Sequence, residues 1–259
     1  MGHIRLGRLP KTKPWQRVFG ILDGSDVDPA QLSNAVLGAA RKELAGLKGD
    51  EAVSYCFWVL ARVATAARSP DFASELRRLG IPSEGVQSGA QFVQRVAKAV
   101  QAELQRRGMY SAFARIAELS LRQTLSGAIT EQSRSLFGTG LPEIQTACRD
   151  ISAKSRFGRV GQDYFANFLN RALSYLVDKE LSNFVGAGRA LGSSRRAIEF
   201  HEALAAYCTE SARIVEEYAG GWLSKHNWES NNDISERETG GFCAYALEKL
   251  LMDLPKAEQ

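Results

Sequence analysis

The strongest constraint in this sequence is a pair of helical apolar patterns between Gln162 and Tyr218. In the first pattern apolar residues recur at steps of three and four, while polar residues fill the opposite side. Its apolar positions are Phe165, Phe168, Leu169, Ala172, Leu173 and Leu176. After a glycine-bearing turn, Ser193 and Ser194 provide N-cap residues for a second helix. Its apolar stripe comprises Ala197, His201, Leu204, Cys208, Val215 and Tyr218. Two such helices, antiparallel after a short turn, bury each other's stripes.

The helical period continues through most of the chain, and no convincing run of alternating strand pattern appears. Asp28 followed by Pro29 is typical of a helix start, as is Asp50 further on. The helix after Asp50 is apolar on most sides, which indicates a central position. We therefore predict an all-α fold, a bundle of roughly eight helices in two packed halves.

The helical pattern fails at residues 137–142, and we place the boundary between the two halves there. The expected parts are an irregular basic N-terminal arm over residues 1–22, one helical half over residues 23–137 and a second over residues 141–259. A single continuous domain is the alternative. In either arrangement the C-terminal half supplies the long pair of helices.

A second set of breaks is expected near the C-terminus. Gly220 and Gly221 predict the end of the second long helix, because paired glycines let the chain turn sharply. The stretch from Ser224 to Thr239 is polar and predicts a loop. A last helix is expected from Phe242 onward.

Charge is distributed unevenly along the chain. The whole sequence carries 33 basic and 29 acidic residues, a net charge of +4. From Glu199 to the end it carries 12 acidic and 5 basic residues, a net charge of −7, so residues 1–198 carry +11. Such asymmetry favours contact with nucleic acid, with another subunit or with a second copy of the chain. Two solvated surfaces of different sign are the alternative.

Cysteine usage and hydropathy indicate a cytoplasmic protein. The four cysteines are Cys56, Cys148, Cys208 and Cys243. They lie far apart without a C-x-x-C pair, which predicts buried thiols in a reducing compartment. The N-terminus has charges from Arg5 onward and no apolar core of a signal peptide, and no apolar run is long enough to cross a bilayer. We expect no membrane contact.

Basic residues are concentrated in two places. In the N-terminal arm, Trp15 lies among basic residues, namely Arg5, Arg8, Lys11, Lys13 and Arg17. This composition suits contact with phosphates, but the arm's apolar residues equally suit docking into the protein's own groove or onto a partner. A second basic patch, which includes Arg156 and Arg159, precedes the long helical pair.

Motifs of common enzymes and metal sites are missing from the sequence. It contains no G-x-S-x-G, H-E-x-x-H, Walker or dinucleotide fingerprint. The three histidines, His3, His201 and His226, have no second metal-type ligand at helical spacing. We therefore expect no cofactor or metal, and no catalytic residue is favoured.

One short stretch resembles a known family. Residues 195–201 read Arg-Arg-Ala-Ile-Glu-Phe-His, which resembles the R-x(4–6)-H motif of the HEPN ribonucleases. That resemblance implies an all-helical enzyme that cuts RNA across a dimer interface without a metal. Arg195 or Arg196 would stabilise charge on the phosphate and His201 would move a proton. Because His201 also falls on the apolar stripe, a hydrogen-bonded core histidine is the alternative.

A second resemblance extends over two other stretches. His3 to Trp15 and Arg213 to Trp222 resemble parts of uncharacterised bacterial proteins from multi-gene operons, with antiviral defence operons as the candidate kind. It implies a dedicated subunit beside an ATPase or a nuclease. Nearby, Trp222 and Trp228 flank His226, and aromatic residues at a loop edge indicate either a docking surface or the lid of a small core.

Together these observations favour a non-enzymatic helical adaptor or scaffold subunit of a bacterial multi-protein complex. Its partners would be other protein subunits of the same operon, with nucleic acid or a second copy of the chain as further candidates. The candidate binding residues are Arg5, Arg8, Lys11, Lys13, Trp15, Arg17, Arg156, Arg159, Trp222, His226 and Trp228. A HEPN-like ribonuclease that uses Arg195 or Arg196 with His201 is the alternative.

Overall fold

The computed structural model describes residues 12–22, 28–132, 140–181, 194–229 and 233–253, and every regular element in these ranges is an α-helix. The helices are α1 (Lys13–Leu22), α2 (Pro29–Ala45), α3 (Glu51–Ala66), α4 (Phe72–Arg78), α5 (Gly89–Arg106), α6 (Ala112–Gln132), α7 (Leu141–Ile151), α8 (Lys154–Leu181), α9 (Ser194–Ser211), α10 (Arg213–Glu229) and α11 (Glu236–Asp253). The all-α prediction is confirmed. The described ranges contain eleven helices, more than the roughly eight predicted. None of these described helices has the length and apolar character to traverse a bilayer.

The predicted helix starts are confirmed at two aspartates. The Asp28 carboxylate accepts a hydrogen bond from the Ala30 backbone N–H at 3.0 Å, with Pro29 in the first turn of α2. The Asp50 carboxylate accepts two, from the backbone N–H groups of Ala52 and Val53. These carboxylates satisfy N–H groups that have no partner within the helix.

Helix α3 lies at the centre of the molecule, as its composition predicts. Thirteen of its 16 residues are buried. The ring of Phe57 is surrounded by aromatic rings at centroid distances of 5.2 to 6.1 Å. These rings belong to Phe157, Tyr164, Phe165, Trp222 and Phe242. The central aromatic cluster therefore joins α3 to α8, α10 and α11.

The predicted arrangement in two packed halves is not observed. A single apolar core contains buried residues from both sides of the expected boundary at residue 141. Helix α3 packs against α6 from the first part of the chain and against α7 and α11 from the second. Because α3 is apolar on nearly all sides, it needs neighbours all around, and helices from both parts supply them.

The pairing of the two long patterns is confirmed, since α8 packs against both α9 and α10. The second pattern is broken at Ala212, where α9 ends and α10 begins. Helices α8 and α10 approach each other closely because α8 has glycines where the two helices touch. A Cβ on Gly158 would be 2.7 Å from the Glu216 carbonyl oxygen, and one on Gly161 would be 2.8 Å from the Ala219 Cβ.

The predicted loop over residues 224–239 is wrong for most of its described part, in which only residues 233–235 lie outside helices. Helix α10 continues through Gly220 and Gly221 to Glu229, because Gly220 serves a close helix crossing rather than a helix end. Helix α11 begins at Glu236, six residues before the expected start. Its start is a capping box: Glu238 N–H donates to Ser235 Oγ at 3.2 Å, and Ser235 N–H donates to the Glu238 carboxylate at 2.9 Å.

Candidate functional site

The predicted basic arm is only partly within the described residues. Arg5, Arg8 and Lys11 lie outside them, whereas Lys13, Trp15 and Arg17 belong to α1. Trp15 is fully buried against α2, and its indole N–H donates to Glu43 Oε1 at 3.4 Å. Lys13 and Arg17 are exposed. In this conformation the tryptophan supports the fold and is not available to stack on a nucleic acid base.

The second basic patch contains carboxylates as well as arginines. Arg156 and Arg159 line a polar cavity of about 230 Å³ together with Glu131 and Asp163. Arg156 Nη1 is 4.0 Å from Glu131 Oε2, and Arg159 Nε is 3.8 Å from the Glu216 carboxylate. Burial raises the pKa of Asp163, and the nearby Glu131 carboxylate adds to that effect. The patch is therefore of mixed charge.

The residues of the HEPN-like motif lie along the first two turns of α9. His201 Nε2 is 3.4 Å from Asp178 Oδ1 of α8, and the histidine side chain is 39% exposed. Burial raises the pKa of Asp178, and the neighbouring His201 opposes this shift. Arg195 Nε is 3.0 Å from Glu199 Oε1, and its side chain is 88% exposed. Arg196 is half-buried. His201 thus lies at the edge of the core, beside a carboxylate.

Two of the predicted aromatic-loop residues, Trp222 and His226, lie instead on one side of α10 and face α11. With Tyr218 they are spaced by four residues, which places them along one side of the helix. Each has a partner on α11, and the three contacts follow one another along the two helices. Tyr218 meets the ring of Tyr245 at 5.6 Å, and Trp222 stacks on Phe242 at 4.7 Å. At the third step, His226 Nδ1 is 3.2 Å from the Glu238 carboxylate.

A groove of about 510 Å³ runs along these three contacts, which we call the aromatic ladder. It is open because Gly221 of α10 and Gly241 of α11 line it, and a Cβ on either glycine would meet no atom within 4 Å. Glu217 and Glu238 also line the groove. Hydrogen bonds from Ser235 lower the pKa of Glu238, so this carboxylate is charged at neutral pH. We call this feature the α10–α11 groove.

Exposed large hydrophobic side chains are concentrated on the two helices that form the groove. Among the described residues, four of the six large hydrophobic side chains that are exposed belong to α10 and α11. These are Tyr218, Trp228, Tyr245 and Met252. Trp228 is 88% exposed but lies about 120° around α10 from Trp222, outside the groove. Clusters of this kind mark docking surfaces more often than scattered single residues do.

The chemistry of the groove suits a cation attached to an apolar group. Aromatic faces carry partial negative charge and attract ammonium and guanidinium groups. The chain itself shows this preference, because Lys249 Nζ lies 5.4 Å from the centroid of the Tyr245 ring. Glu217 forms no ion pair with any other described residue, so its charge is available to a ligand.

The thiols offer no comparable chemistry. All four cysteines are buried and free, as predicted. Burial raises the pKa of Cys148 and Cys208 to about 12, so neither is a thiolate at neutral pH. Among the residues in the described ranges, no group of three or more histidine, cysteine, aspartate or glutamate side chains is arranged to hold a metal.

The sequence analysis identifies two residues of the groove, Trp222 and His226, and misses the others. It places Tyr218 on an apolar stripe and places Phe242 and Tyr245 only in a last helix. The spacing of Tyr218, Trp222 and His226 was the available signal. Comparisons of the chain with protein-family profiles, with curated proteins and with solved structures found no match. Both resemblances therefore rest on the stretches of sequence that carry them.

Proposed function

We propose that this chain is a non-enzymatic helical adaptor subunit and that its α10–α11 groove docks a basic, partly apolar segment of a partner protein. The observation that carries this proposal is the open aromatic ladder between two helices that are otherwise well packed. An apolar side chain of the partner would lie beside Gly221 and Gly241, where nothing fills the space. A lysine or arginine of the partner would lie over the tyrosine rings.

Charge complementarity selects a basic partner over an acidic or neutral one. Glu217 and Glu238 line the groove, and the residues from Glu199 onward carry a net charge of −7. Opposite charge on the partner accelerates association and excludes acidic competitors. The same charge disfavours nucleic acid at this surface. A nucleic acid contact belongs instead to the basic part of the chain, residues 1–198.

The resemblance to operon-encoded subunits is consistent with such a role. It covers Arg213 to Trp222, which includes four groove-lining residues: Glu217, Tyr218, Gly221 and Trp222. In this proposal the chain acts in the cytoplasm of a bacterium beside subunits encoded in the same operon, with antiviral defence as the candidate process. A second copy of the chain is the alternative occupant, because residues 1–198 of that copy carry a net charge of +11.

The test is to coexpress the chain with the products of its neighbouring genes and to fill the groove. Gly241→Leu places a side chain in empty space, so the fold is expected to persist while the groove closes. We expect partner binding to weaken by at least about tenfold, as for loss of a central interface contact. Trp228→Ala is the matched control, because Trp228 is exposed but outside the groove.

A photocrosslinking amino acid gives a second, independent measurement. Placed at position 218 it lies in the groove, whereas at position 110 it replaces an exposed tyrosine elsewhere on the surface. We expect the same gene-neighbour partner to be captured from position 218 and not from position 110. Equal retention of that partner by wild type and Gly241→Leu, with capture from position 110 alone, would exclude the groove as the docking site.

The second candidate function is a HEPN-like, metal-independent ribonuclease. The observation in its favour is that the His201 side chain reaches the surface beside Asp178, with Arg195 exposed on the same helix. In such an enzyme the carboxylate would orient the imidazole for proton transfer. RNA cleavage that is lost in His201→Ala would favour this function over the adaptor.

A further inference from the structure

Arg62 is a charged residue within the most apolar helix of the protein. It belongs to α3, and only 9% of its side chain is exposed. Its guanidinium is 2.7 Å from Asp233 Oδ1, and the Asp233 side chain is 83% exposed. A buried cation requires a compensating anion. Here that anion belongs to an exposed surface side chain rather than to a group fixed in the core.

A cavity of about 620 Å³ lies in front of this guanidinium. Three arginines line it: Arg62 and Arg68 from α3 and the turn after it, and Arg78 from the end of α4. The carboxylates that line it are Glu75 and Asp233. The wall of the cavity therefore carries three positive charges against two negative ones.

The charge of Arg68 is the one that the cavity does not balance. Its Nε donates to Ser152 Oγ at 2.8 Å and its Nη2 donates to the Ser152 carbonyl at 2.6 Å, and both acceptors are neutral. Within the described ranges no carboxylate pairs with it. Arg78, by contrast, is 2.8 Å from Glu75 Oε1. Arg68 is thus held in place while its positive charge stays available.

The cavity also has a fixed aromatic wall. The indole N–H of Trp58 donates to the Ile234 carbonyl at 2.7 Å, and the ring of Trp58 stacks on that of Tyr55 at 5.6 Å. These contacts hold the indole in position. The volume of the cavity falls within the roughly 300–1,000 Å³ typical of small-molecule sites.

We propose that this cavity binds a small phosphate-bearing anion. Phosphoryl oxygens would replace the Asp233 carboxylate at Arg62 and would contact Arg68 and Arg78. Arginine suits this role because its planar group presents several N–H donors that match phosphate oxygens. Trp58 would provide an apolar face for the rest of the ligand. This site is separate from the α10–α11 groove, and it does not depend on the proposed adaptor function.

The experiment is titration calorimetry of the full chain with pyrophosphate, with ADP and with adenosine. We expect saturable binding of at least one of the two phosphate-bearing probes, weakening as salt rises, and no binding of adenosine. Tighter binding of ADP than of pyrophosphate identifies a nucleotide, and equal binding identifies the phosphate groups alone as the ligand chemistry.

Three variants locate the site. Asp233→Asn removes the carboxylate that competes for Arg62 and is expected to tighten binding by at least roughly threefold. Circular dichroism checks that this variant, which leaves a buried guanidinium without its anion, still folds. Arg78→Gln is expected to weaken it by roughly threefold to tenfold. Arg77→Gln is the matched control, because Arg77 lies on the same helix but pairs with Glu84 outside the cavity.

Arg78→Gln and Arg77→Gln change exposed side chains, so they keep the test valid even if a change at Arg62 or Asp233 prevents folding. No binding of either phosphate-bearing probe to wild type or to Asp233→Asn would overturn the proposal. Equal weakening by Arg77→Gln and Arg78→Gln would also overturn it, since that result indicates general attraction to a basic surface. Binding of adenosine as tight as that of ADP would do so as well.

Discussion

Gly220 of α10 lies against the backbone carbonyl of Lys154 in α8, so close that a Cβ built on the glycine would overlap the carbonyl oxygen. Its neighbour Gly221 has the opposite environment, since a Cβ there would meet no atom within 4 Å. Two adjacent glycines in one helix thus serve different purposes. Gly220 allows two helices to cross closely, and Gly221 leaves the α10–α11 groove open.

This difference predicts opposite effects of the same substitution. Gly220→Ala is expected to lower the free energy of unfolding by about 3 kcal/mol or more, because backbone atoms must move to admit the methyl group. Gly221→Ala is expected to raise it by up to about 1 kcal/mol, because alanine favours the helix and nothing obstructs it. Urea denaturation of both variants measures the difference. Equal destabilisation by the two would contradict the close crossing.

The second prediction concerns the central aromatic cluster. Phe57→Ala removes the ring that contacts the aromatic rings of three other helices, so it is expected to lower the free energy of unfolding by about 3–5 kcal/mol. Because the rings of Trp222 and Phe242 pack against that of Phe57, partner binding in the groove is also expected to weaken. Denaturant titration measures the free energy of unfolding, near-ultraviolet circular dichroism reports the packing of the rings, and coexpression with the neighbouring gene products measures partner binding.

Phe57→Leu is the control for this prediction, since it keeps most of the apolar volume and is expected to cost less than the alanine variant. A loss below about 1 kcal/mol for Phe57→Ala would contradict the central position of the ring. It would also mean that the packing of Phe57 in the core does not determine the geometry of the groove.

Local signals account for the parts of the fold that the sequence predicted. Helix starts depend on residues within one turn, as at Asp28, Pro29 and Asp50, so they can be recognised from adjacent residues in the sequence. Ser235 and Glu238 form a capping box of the same local kind. That signal was present in the sequence but was assigned to a loop.

Signals that depend on packing were not predictable in the same way. Gly220 and Gly221 have the composition of a helix end, yet the helix continues because the glycines meet α8 and the groove. Phe242 and Tyr245 become site residues only when α11 packs beside α10. Arg62 interrupts an otherwise apolar run, and its neighbours in the sequence do not indicate a partner for it. Its pairing with Asp233 joins residues far apart in the chain.

The third prediction concerns an ion-pair network between α5 and α11. Hydrogen bonds from Arg106 and Arg107 lower the pKa of Glu103 to about 2, from an ordinary value of 4.5. Arg107 also forms two hydrogen bonds to Glu236 at the start of α11. A carboxylate whose pKa is lower in the folded state adds stability above its unfolded pKa and loses that contribution as pH falls.

Glu103→Gln is therefore expected to be less stable than wild type by at most about 1 kcal/mol at neutral pH, since solvent screens this partly exposed network. The difference should disappear between about pH 4.5 and pH 2. Urea denaturation of both proteins across this range measures it. A difference that persists at pH 2 would mean that the glutamine disturbs packing rather than charge.

The last prediction separates the two candidate functions. We expect the purified chain not to cleave RNA, because Arg195 is bound to Glu199 on an exposed side of α9. A catalytic arginine would need to meet a phosphate together with the imidazole of His201.

The measurement is incubation of the chain with labelled RNA, alone and with its gene-neighbour partner. His201→Ala, Arg195→Gln and Arg196→Gln are the variants, and Arg213→Gln, which loses a comparable exposed ion pair with Glu210, is the control. Cleavage by wild type and the control that is lost in His201→Ala and in at least one of the other two variants would overturn the adaptor function and establish a ribonuclease.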